Sequence, residues 1–187
     1  MMQEQRDLRE IANHFKEKLQ KIKVLAFDVD GVLTNGQLIF FGGEVGWNRS
    51  FHTRDGYMMK ELIRQGYKVG VITGGDSRGV FERFGKDGKG LGLDFIFAGD
   101  EDKRASYKKV KELGFTDEQI LYVGDEFFDL PVLKECGFSV TVPEASHEVK
   151  ESVDYVTQTA GGMGAAREVM DIFRYANNIK PKVPGLE

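Results

Sequence analysis

This chain has a single cysteine, no marked excess of either charge and no continuous apolar run near its start. Each of these features argues against one class of protein. Cys136 is the only cysteine among 187 residues, which excludes an intrachain disulfide and favours a small buried side chain. The net charge is −4, from 26 basic and 30 acidic residues, so nothing favours nucleic acid or an anionic membrane as a partner. Residues 1–20 are charged and helical in pattern, and we expect a cytoplasmic protein without a signal peptide or a membrane span.

The most informative segment is the first predicted strand, which delivers two carboxylates into a glycine turn. Residues 22–27 are almost entirely apolar, as in a strand buried on both faces of a parallel sheet. Asp28 and Asp30 follow at its carboxyl end, where ligands bind in open α/β sheets. Asp28 could attack phosphorus as a nucleophile, and Asp30 could serve as general acid and base. The alternative is a pair that only ends the strand and caps an Asp-Gly turn.

The rest of the chain alternates short β-rich runs with helical runs. This pattern predicts an α/β fold, a Rossmann-like parallel sheet with helices on both faces. One domain over residues 1–187 is expected, with an N-terminal helix over about 1–20 and a C-terminal tail over about 178–187. Predicted strands cover residues 22–27, 68–73, 94–97, 119–123 and 138–142, and predicted helices cover 56–65, 77–84, 103–113, 127–135 and 165–176.

A β-hairpin flap is predicted after the first strand and its turn. Residues 37–41 and 45–51 flank the turn-forming segment Gly42-Gly43-Glu44. A second glycine-rich piece, residues 86–92, follows a predicted helix and precedes none. It therefore lacks the context of a dinucleotide-binding loop, which disfavours a Rossmann oxidoreductase.

Polar groups follow two further predicted strands at the same edge of the sheet. Thr73 and Gly74 end one strand ahead of a helix, where a hydroxyl and backbone amides can bind phosphate oxygens, although such turns are common without function. Lys103 begins a helix after the next strand and could neutralise a phosphate together with Asp28. A surface lysine is the alternative for Lys103 taken alone.

A fourth strand end supplies carboxylates for a metal. Asp125 follows a buried strand, and with Asp28 and the backbone carbonyl of Asp30 it provides the oxygen ligands that Mg²⁺ prefers. Asp129 lies one helical turn beyond Asp125 and could orient the ligands from behind. The joint arrangement, with each group at a strand end, is the strongest sign of a phosphoryl-transfer site.

The ordered segments DVDGVLT, ITGG and GDEFFD, together with Lys103, resemble the four motifs of the haloacid dehalogenase superfamily of aspartate-nucleophile phosphatases. The resemblance implies a HAD-like fold without a large cap domain and hydrolysis through an aspartyl-phosphate. It implies catalysis by Asp28 and Asp30, Mg²⁺ binding by Asp28, Asp30 and Asp125, and substrate binding by Thr73, Gly74, Lys103 and Arg54.

Longer segments narrow the resemblance. FHTRDGYMMKELI, VGDEFFDLPVLKECGFSV and AGGMGAAREVMDI are similar to 3-deoxy-D-manno-octulosonate 8-phosphate phosphatases. That family implies a small acidic sugar phosphate as substrate and a role in lipopolysaccharide biosynthesis. It also implies a homotetramer in which the hairpins pack together and a neighbouring subunit helps to close the active site.

Three residues depart from the pattern of these phosphatases. Gly75 and Met163 stand where arginines are usual, and Glu126 stands where the second aspartate of a GDD segment is usual. Loss of two arginines removes possible partners for a phosphate or a sugar carboxylate. The substrate therefore stays open, with a nine-carbon sugar acid 9-phosphate as an alternative. A non-catalytic oligomerisation relative is a separate alternative, and the retention of Asp28, Asp30, Lys103 and Asp125 argues against it.

Overall fold

A parallel sheet forms the centre of the protein, as the alternating pattern predicts. The computed structural model describes residues 6–44, 46–87, 89–182 and 185. The sheet order is β5-β4-β1-β6-β7-β8, with every neighbouring pair parallel, while β2 and β3 pair separately. The strands are β1 (Val24–Phe27), β2 (Ile39–Phe40), β3 (Trp47–Asn48), β4 (Lys68–Thr73), β5 (Phe95–Ala98), β6 (Ile120–Val123), β7 (Phe138–Thr141) and β8 (Tyr155–Val156).

Helices connect the strands and cover the sheet. They are α1 (Leu8–His14), α2 (Lys16–Leu19), α3 (Thr53–Arg64), α4 (Arg78–Phe84), α5 (Lys103–Glu112), α6 (Leu130–Leu133), α7 (His147–Lys150) and α8 (Ala165–Ala176). Two short 3₁₀ segments, Asp117–Gln119 and Phe127–Asp129, precede β6 and α6. Within the described residues, none of these helices has the length and apolar character needed to cross a membrane.

Alternate residues of β1 face two hydrophobic cores. Leu25 and Phe27 join the core that α1, α3 and α8 cover, and Val24 and Ala26 join the core that α5 and α6 cover. All four residues of β1 are buried, as expected of a strand covered on both faces. The predicted arrangement of helices on both faces is therefore confirmed, and the carboxyl ends of β1, β4, β5 and β6 meet at one edge.

The predicted hairpin follows β1 and its turn, but its strands are short. Phe40 of β2 lies opposite Trp47 of β3, and the two rings are 5.0 Å apart between centroids. Both strands have exposed side chains, so the hairpin packs few residues into the cores. Val45, where the second predicted strand began, lies outside the described residues.

Several predicted boundaries were wrong for physical reasons. The helix predicted over 127–135 is a 3₁₀ turn followed by α6, because Pro131 lacks an N–H and favours the first turn of a new helix. The predicted N-terminal helix divides at Phe15 into α1 and α2, and its first five residues lie outside the described part. The prediction also omitted α7 and β8, which are only four and two residues long.

Candidate active site

The end of β1 lies at the centre of a buried charge cluster. The backbone N–H of Asp28 donates to the carbonyl of Val123, which continues the pairing of β1 with β6 past the last strand residue. The Lys103 Nζ lies 2.9 Å from Oδ1 of Asp28 and 2.6 Å from Oδ1 of Asp129. The Lys103 side chain is fully buried, with its ammonium 4.6 Å from the centroid of the Phe128 ring. Lys103 is therefore a buried counter-charge, and the surface alternative is excluded.

Asp129 is held by four donors. Its Oδ1 accepts from Lys103 Nζ and from the hydroxyl of Tyr122, both at 2.6 Å. Its Oδ2 accepts from the backbone N–H groups of Asp125 and Glu126, both at 3.0 Å. Asp129 thus fixes the lysine, the backbone at Asp125 and the strand residue Tyr122 in one network. We call Asp28, Lys103, Tyr122, Asp125 and Asp129 the carboxylate floor.

Electrostatics in the carboxylate floor favour an additional positive charge. Burial opposes the charge on Lys103, but the carboxylates of Asp28 and Asp129 outweigh this effect and raise the lysine pKa. Burial also raises the pKa values of Asp28 and Asp125, and the nearby carboxylates add to both shifts. Within the cluster one lysine faces three carboxylates, so a bound cation would offset the excess of negative charge.

The same cluster fits a divalent cation. Asp28, Asp125 and Asp129 each present a carboxylate oxygen within 4.8 Å of the others. Oδ1 of Asp125 is buried and has no hydrogen-bond partner among the described residues. Because Asp129 already accepts four hydrogen bonds, Asp28 and Asp125 are the carboxylates with capacity to bind a metal. Oxygen ligands of this kind suit Mg²⁺.

Gly31 makes room for Asp125. Its φ of +92° lies in the left-handed region, and a Cβ at this position would overlap the Asp125 carboxylate. The turn after Asp30 therefore needs glycine both for its backbone and for the approach of the second carboxylate.

The strand-end residues Thr73 and Gly74 lie at the same edge. Thr73 is the last residue of β4, is buried, and its Oγ1 accepts from the N–H of Gly75 at 3.2 Å. Gly74 is partly buried and faces Glu101, whose Cγ lies 3.5 Å from the place of a Cβ on the glycine. The turn thus places the hydroxyl of Thr73 and the backbone of Gly74 beside the sheet edge, at the end of β4.

Asp30 has a partner that the sequence did not reveal. Arg49, which follows β3 of the hairpin, binds both oxygens of Asp30, with Nε at 2.5 Å from Oδ1 and NH2 at 2.7 Å from Oδ2. The same guanidinium donates to Oγ of Ser77 at 2.6 Å. This ion pair links the hairpin to the sheet edge.

Arg54 lies apart from the carboxylate floor. It lines a polar cavity of about 260 Å³ together with Thr159, Met163 and Arg167, and no floor residue lines that cavity. Met163 is 63% exposed there.

Glu126, which stands where a second aspartate is usual, caps the 3₁₀ turn, since its side chain accepts from the N–H of Phe127 at 3.1 Å. The structure therefore brings together Asp28, Asp125 and Lys103, with Asp30 and Thr73 at the same sheet edge, but does not bring Arg54 to them.

Two contributors were missed in the sequence. Tyr122 is a hydroxyl-bearing residue in an otherwise apolar strand two positions before Gly124, and that polarity could have marked it. Arg49 carries no such signal, because its contact with Asp30 depends on how the hairpin folds over the sheet edge.

Comparisons with known proteins agree with this geometry. Residues 83–169 match the haloacid dehalogenase-like hydrolase family. The chain is 40% identical over 163 residues to the 3-deoxy-D-manno-octulosonate 8-phosphate phosphatase KdsC of Haemophilus influenzae, covering 86% of this chain and 87% of that protein.

Two solved structures are similar throughout. A putative HAD superfamily (subfamily III A) hydrolase from Legionella pneumophila has a TM-score of 0.83 and 37% identity, over 90% of this chain and 91% of that one. The 3-deoxy-D-manno-octulosonate 8-phosphate phosphatase from Moraxella catarrhalis, in complex with magnesium, phosphate and KDO, has a TM-score of 0.81 and 35% identity, over 89% and 93%. The chain belongs to the 3-deoxy-D-manno-octulosonate 8-phosphate phosphatase family within the haloacid dehalogenase-like hydrolases.

Proposed function

We propose that this protein is a Mg²⁺-dependent phosphatase whose substrate is 3-deoxy-D-manno-octulosonate 8-phosphate. The observation that carries the proposal is the contact of Asp28 with the buried Lys103 beside Asp125, at the sheet edge where Thr73 also ends its strand. A scaffold protein would not need a buried lysine between two carboxylates. The non-catalytic oligomerisation relative is therefore not favoured.

In the proposed mechanism an oxygen of Asp28 attacks phosphorus in line with the bond to the sugar oxygen. Asp30 gives its proton to that oxygen as the bond breaks, which leaves an aspartyl-phosphate and the free sugar hydroxyl. Asp30 then takes a proton from water, whose oxygen attacks phosphorus and releases Asp28 and inorganic phosphate. Bound Mg²⁺ would neutralise the charge gathered between nucleophile and phosphate.

The remaining proposed contacts orient and neutralise the phosphate. Lys103 holds Asp28 by an ion pair and adds positive charge where the phosphate gathers negative charge. Thr73 Oγ1 and the backbone N–H of Gly74 would donate to phosphate oxygens. Asp125, Asp28 and the carbonyl of Asp30 would bind the metal. Asp129 holds the backbone at Asp125 and the ammonium of Lys103 that faces Asp28.

Assembly is part of the proposal. Five apolar residues on and beside the hairpin strands are 48–58% exposed: Leu38, Ile39, Phe40, Phe41 and Trp47. Large exposed apolar side chains grouped on one short segment are typical of a protein interface. We propose that these residues mediate a homotetramer, and that Arg54 meets substrate in this assembly through closure by a neighbouring copy.

A single domain over residues 1–187, a cytoplasmic location and a role in lipopolysaccharide biosynthesis stay predictions.

The proposal is tested by Mg²⁺-dependent phosphate release from a panel of esters, with Asp28→Asn as the blank. The panel holds 3-deoxy-D-manno-octulosonate 8-phosphate, a nine-carbon sugar acid 9-phosphate and a hexose 6-phosphate. We expect preference for the eight-carbon acid and a loss of at least about ten-thousandfold in Asp28→Asn. Preference for the nine-carbon acid would mean that the nine-carbon sugar acid 9-phosphate, and not the eight-carbon one, is the substrate. Turnover that does not depend on Asp28 would refute the mechanism.

A further inference from the structure

The ion pair between Arg49 and Asp30 joins a residue of the hairpin to the proposed acid and base. The Arg49 side chain is only 7% exposed, and its two contacts to Asp30 use both carboxylate oxygens. Thr34 Oγ1 adds a third contact, at 3.3 Å from Oδ1 of Asp30. Asp30 is therefore turned toward the hairpin by a two-pronged contact, which is the strongest geometry available to an arginine.

Gly75 leaves the space in which this pair forms. A Cβ on Gly75 would lie 2.8 Å from NH2 of Arg49 and 3.4 Å from Oδ2 of Asp30. The first distance is shorter than real Cβ contacts, so a side chain at position 75 would push the guanidinium aside. The glycine and the arginine therefore act as one unit, with Arg49 reaching the sheet edge because Gly75 has no side chain.

Arg49 also borders a cavity beside the hairpin. It lines a cavity of about 420 Å³ between the hairpin and α4, with Arg78 and Arg83 on the same wall. Glu44 and Glu82 oppose these arginines, which leaves one net positive charge among the ionisable side chains of the wall. An anionic group in this cavity would compete with Asp30 for the guanidinium of Arg49, because both present carboxylate-like oxygens.

We propose that Arg49 is a specificity-determining residue that pairs with a second anionic group of the substrate, the carboxylate of the sugar acid, and releases Asp30 as it does so. The inference rests on the proposed function and deepens it. A phosphate ester without a carboxylate leaves Arg49 on Asp30, so its leaving oxygen meets an acid and base that the hairpin still holds. With an acidic sugar phosphate, the carboxylate of the sugar takes the place of Asp30 on the guanidinium of Arg49. Asp30 is then free to face the leaving oxygen.

The test compares two esters of primary alcohols, 3-deoxy-D-manno-octulosonate 8-phosphate and a hexose 6-phosphate, on wild type and Arg49→Gln. We expect kcat/KM for the sugar acid to fall about ten- to a hundredfold, the range of a lost charged hydrogen bond. Turnover of the hexose phosphate should hold or rise, because Asp30 is no longer bound. Arg49→Lys keeps the positive charge but cannot make the two-pronged contact, so its kcat/KM for the sugar acid should lie between those of wild type and Arg49→Gln.

Two further variants separate this role from a structural one. Gly75→Ala displaces Arg49 without removing its charge, and it should raise turnover of the hexose phosphate relative to the sugar acid. Arg104→Gln is the matched control, because Arg104 makes an equally two-pronged pair with Asp102 on the exposed surface. It should leave the ratio of the two kcat/KM values unchanged.

Equal losses on both esters in Arg49→Gln would overturn the inference, as would an unchanged ratio in Arg49→Gln and Gly75→Ala. Both results would leave the proposed phosphatase activity intact, since wild type would still turn over the sugar acid. If wild type turned over neither of the two esters above the Asp28→Asn blank, the proposed function and this inference would both be refuted.

Discussion

The carboxylate floor and the hairpin both border the candidate active site, but they differ in burial and in how firmly they are held. All residues of the floor are buried except the half-buried Asp125, and they follow or lie on strands of the central sheet. Lys103 and Asp129 each contact at least two other floor residues. The hairpin has two strands of two residues each and exposes the rings of Phe40, Phe41 and Trp47. Only Arg49 reaches from the hairpin to a proposed catalytic residue by an ion pair within the described contacts.

This difference teaches where reaction and selection reside. The proposed reactive residues Asp28, Thr73 and Asp125 lie at or just beyond the ends of paired strands, which cannot shift independently. The proposed recognition of the substrate and of other copies falls on a segment that can change with little cost to the cores.

The largest expected effect is that of Lys103→Met. The methionine fills similar volume but leaves Asp28 and Asp129 without their shared cation, so we expect kcat/KM to fall about a hundred- to a thousandfold. The uncompensated buried carboxylates should also lower the free energy of unfolding by about 3 kcal/mol at pH 8. Lys111→Met is the control, because Lys111 pairs with Asp117 and Glu135 at the surface. Steady-state rates and urea unfolding measure both effects, and equal losses in the two variants would contradict the assigned role.

Gly31→Ala should break the metal site while leaving the nucleophile in place. Its Cβ would displace the Asp125 carboxylate, and loss of one carboxylate ligand should weaken Mg²⁺ binding by at least about tenfold in calorimetric titration. Gly36→Ala is matched, because Gly36 also has a positive φ, +75°, but its Cβ would approach nothing closer than 3.9 Å. Similar Mg²⁺ affinities for the two variants would show that Asp125 does not bind the metal.

Breaking the hairpin surface should change assembly and spare the floor. We expect wild type to have a molar mass near four times 21.0 kDa by light scattering, and Phe40→Ser with Trp47→Ser to be smaller. Leu113→Ser removes a similarly exposed side chain, 52% exposed, away from the hairpin and should keep the wild-type mass. A wild-type monomer would remove the proposed tetramer.

The smallest expected effect on the site concerns Asp55, a buried acid of α3 outside the floor and the hairpin, whose titration changes stability. Burial raises its pKa from 3.8 to about 6, although it accepts from the N–H of Arg167 at 2.8 Å. Its contribution to stability is therefore fully present below pH 3.8 and is lost as the pH rises through 6. At pH 8 the ionised form costs up to about 3 kcal/mol.

Asp55→Asn keeps the acceptor and removes this cost. Urea unfolding should show the variant gaining stability relative to wild type between pH 4.5 and pH 8, by at most about 3 kcal/mol. Asp87→Asn makes the same change of charge at an exposed position and is the control. A constant difference between Asp55→Asn and wild type across this range would mean that Asp55 does not titrate in it.

Much of the floor could be predicted because a parallel sheet converts order along the chain into position. Once β1, β4 and β6 are parallel neighbours, the residues that follow them must meet at one edge, so Asp28, Thr73 and Asp125 were predictable from the sequence. Lys103 was predictable in place, but its full burial was not, since a lysine at a helix start is ordinarily solvated.

The remaining features depend on contacts that sequence periodicity does not encode. The pairing of Arg49 with Asp30 depends on the path of the hairpin, and the separation of Arg54 from the floor depends on where α3 begins. Helix α3 begins at Thr53, three residues before the predicted start, and this places Arg54 in its first turn. Strand β8 has two residues and pairs at the sheet border, too short to show alternation.

The interior position of β1 has a consequence for how the protein opens. Its residues pair with β4 on one side and with β6 on the other, and all four are buried. Amide protons on such a strand exchange with solvent deuterium only when the sheet itself comes apart, whereas those of the hairpin exchange through local fluctuation. The residue that would carry the phosphoryl group is thus attached to the segment expected to be among the slowest to exchange, and the placement of Asp28 should last as long as the native state.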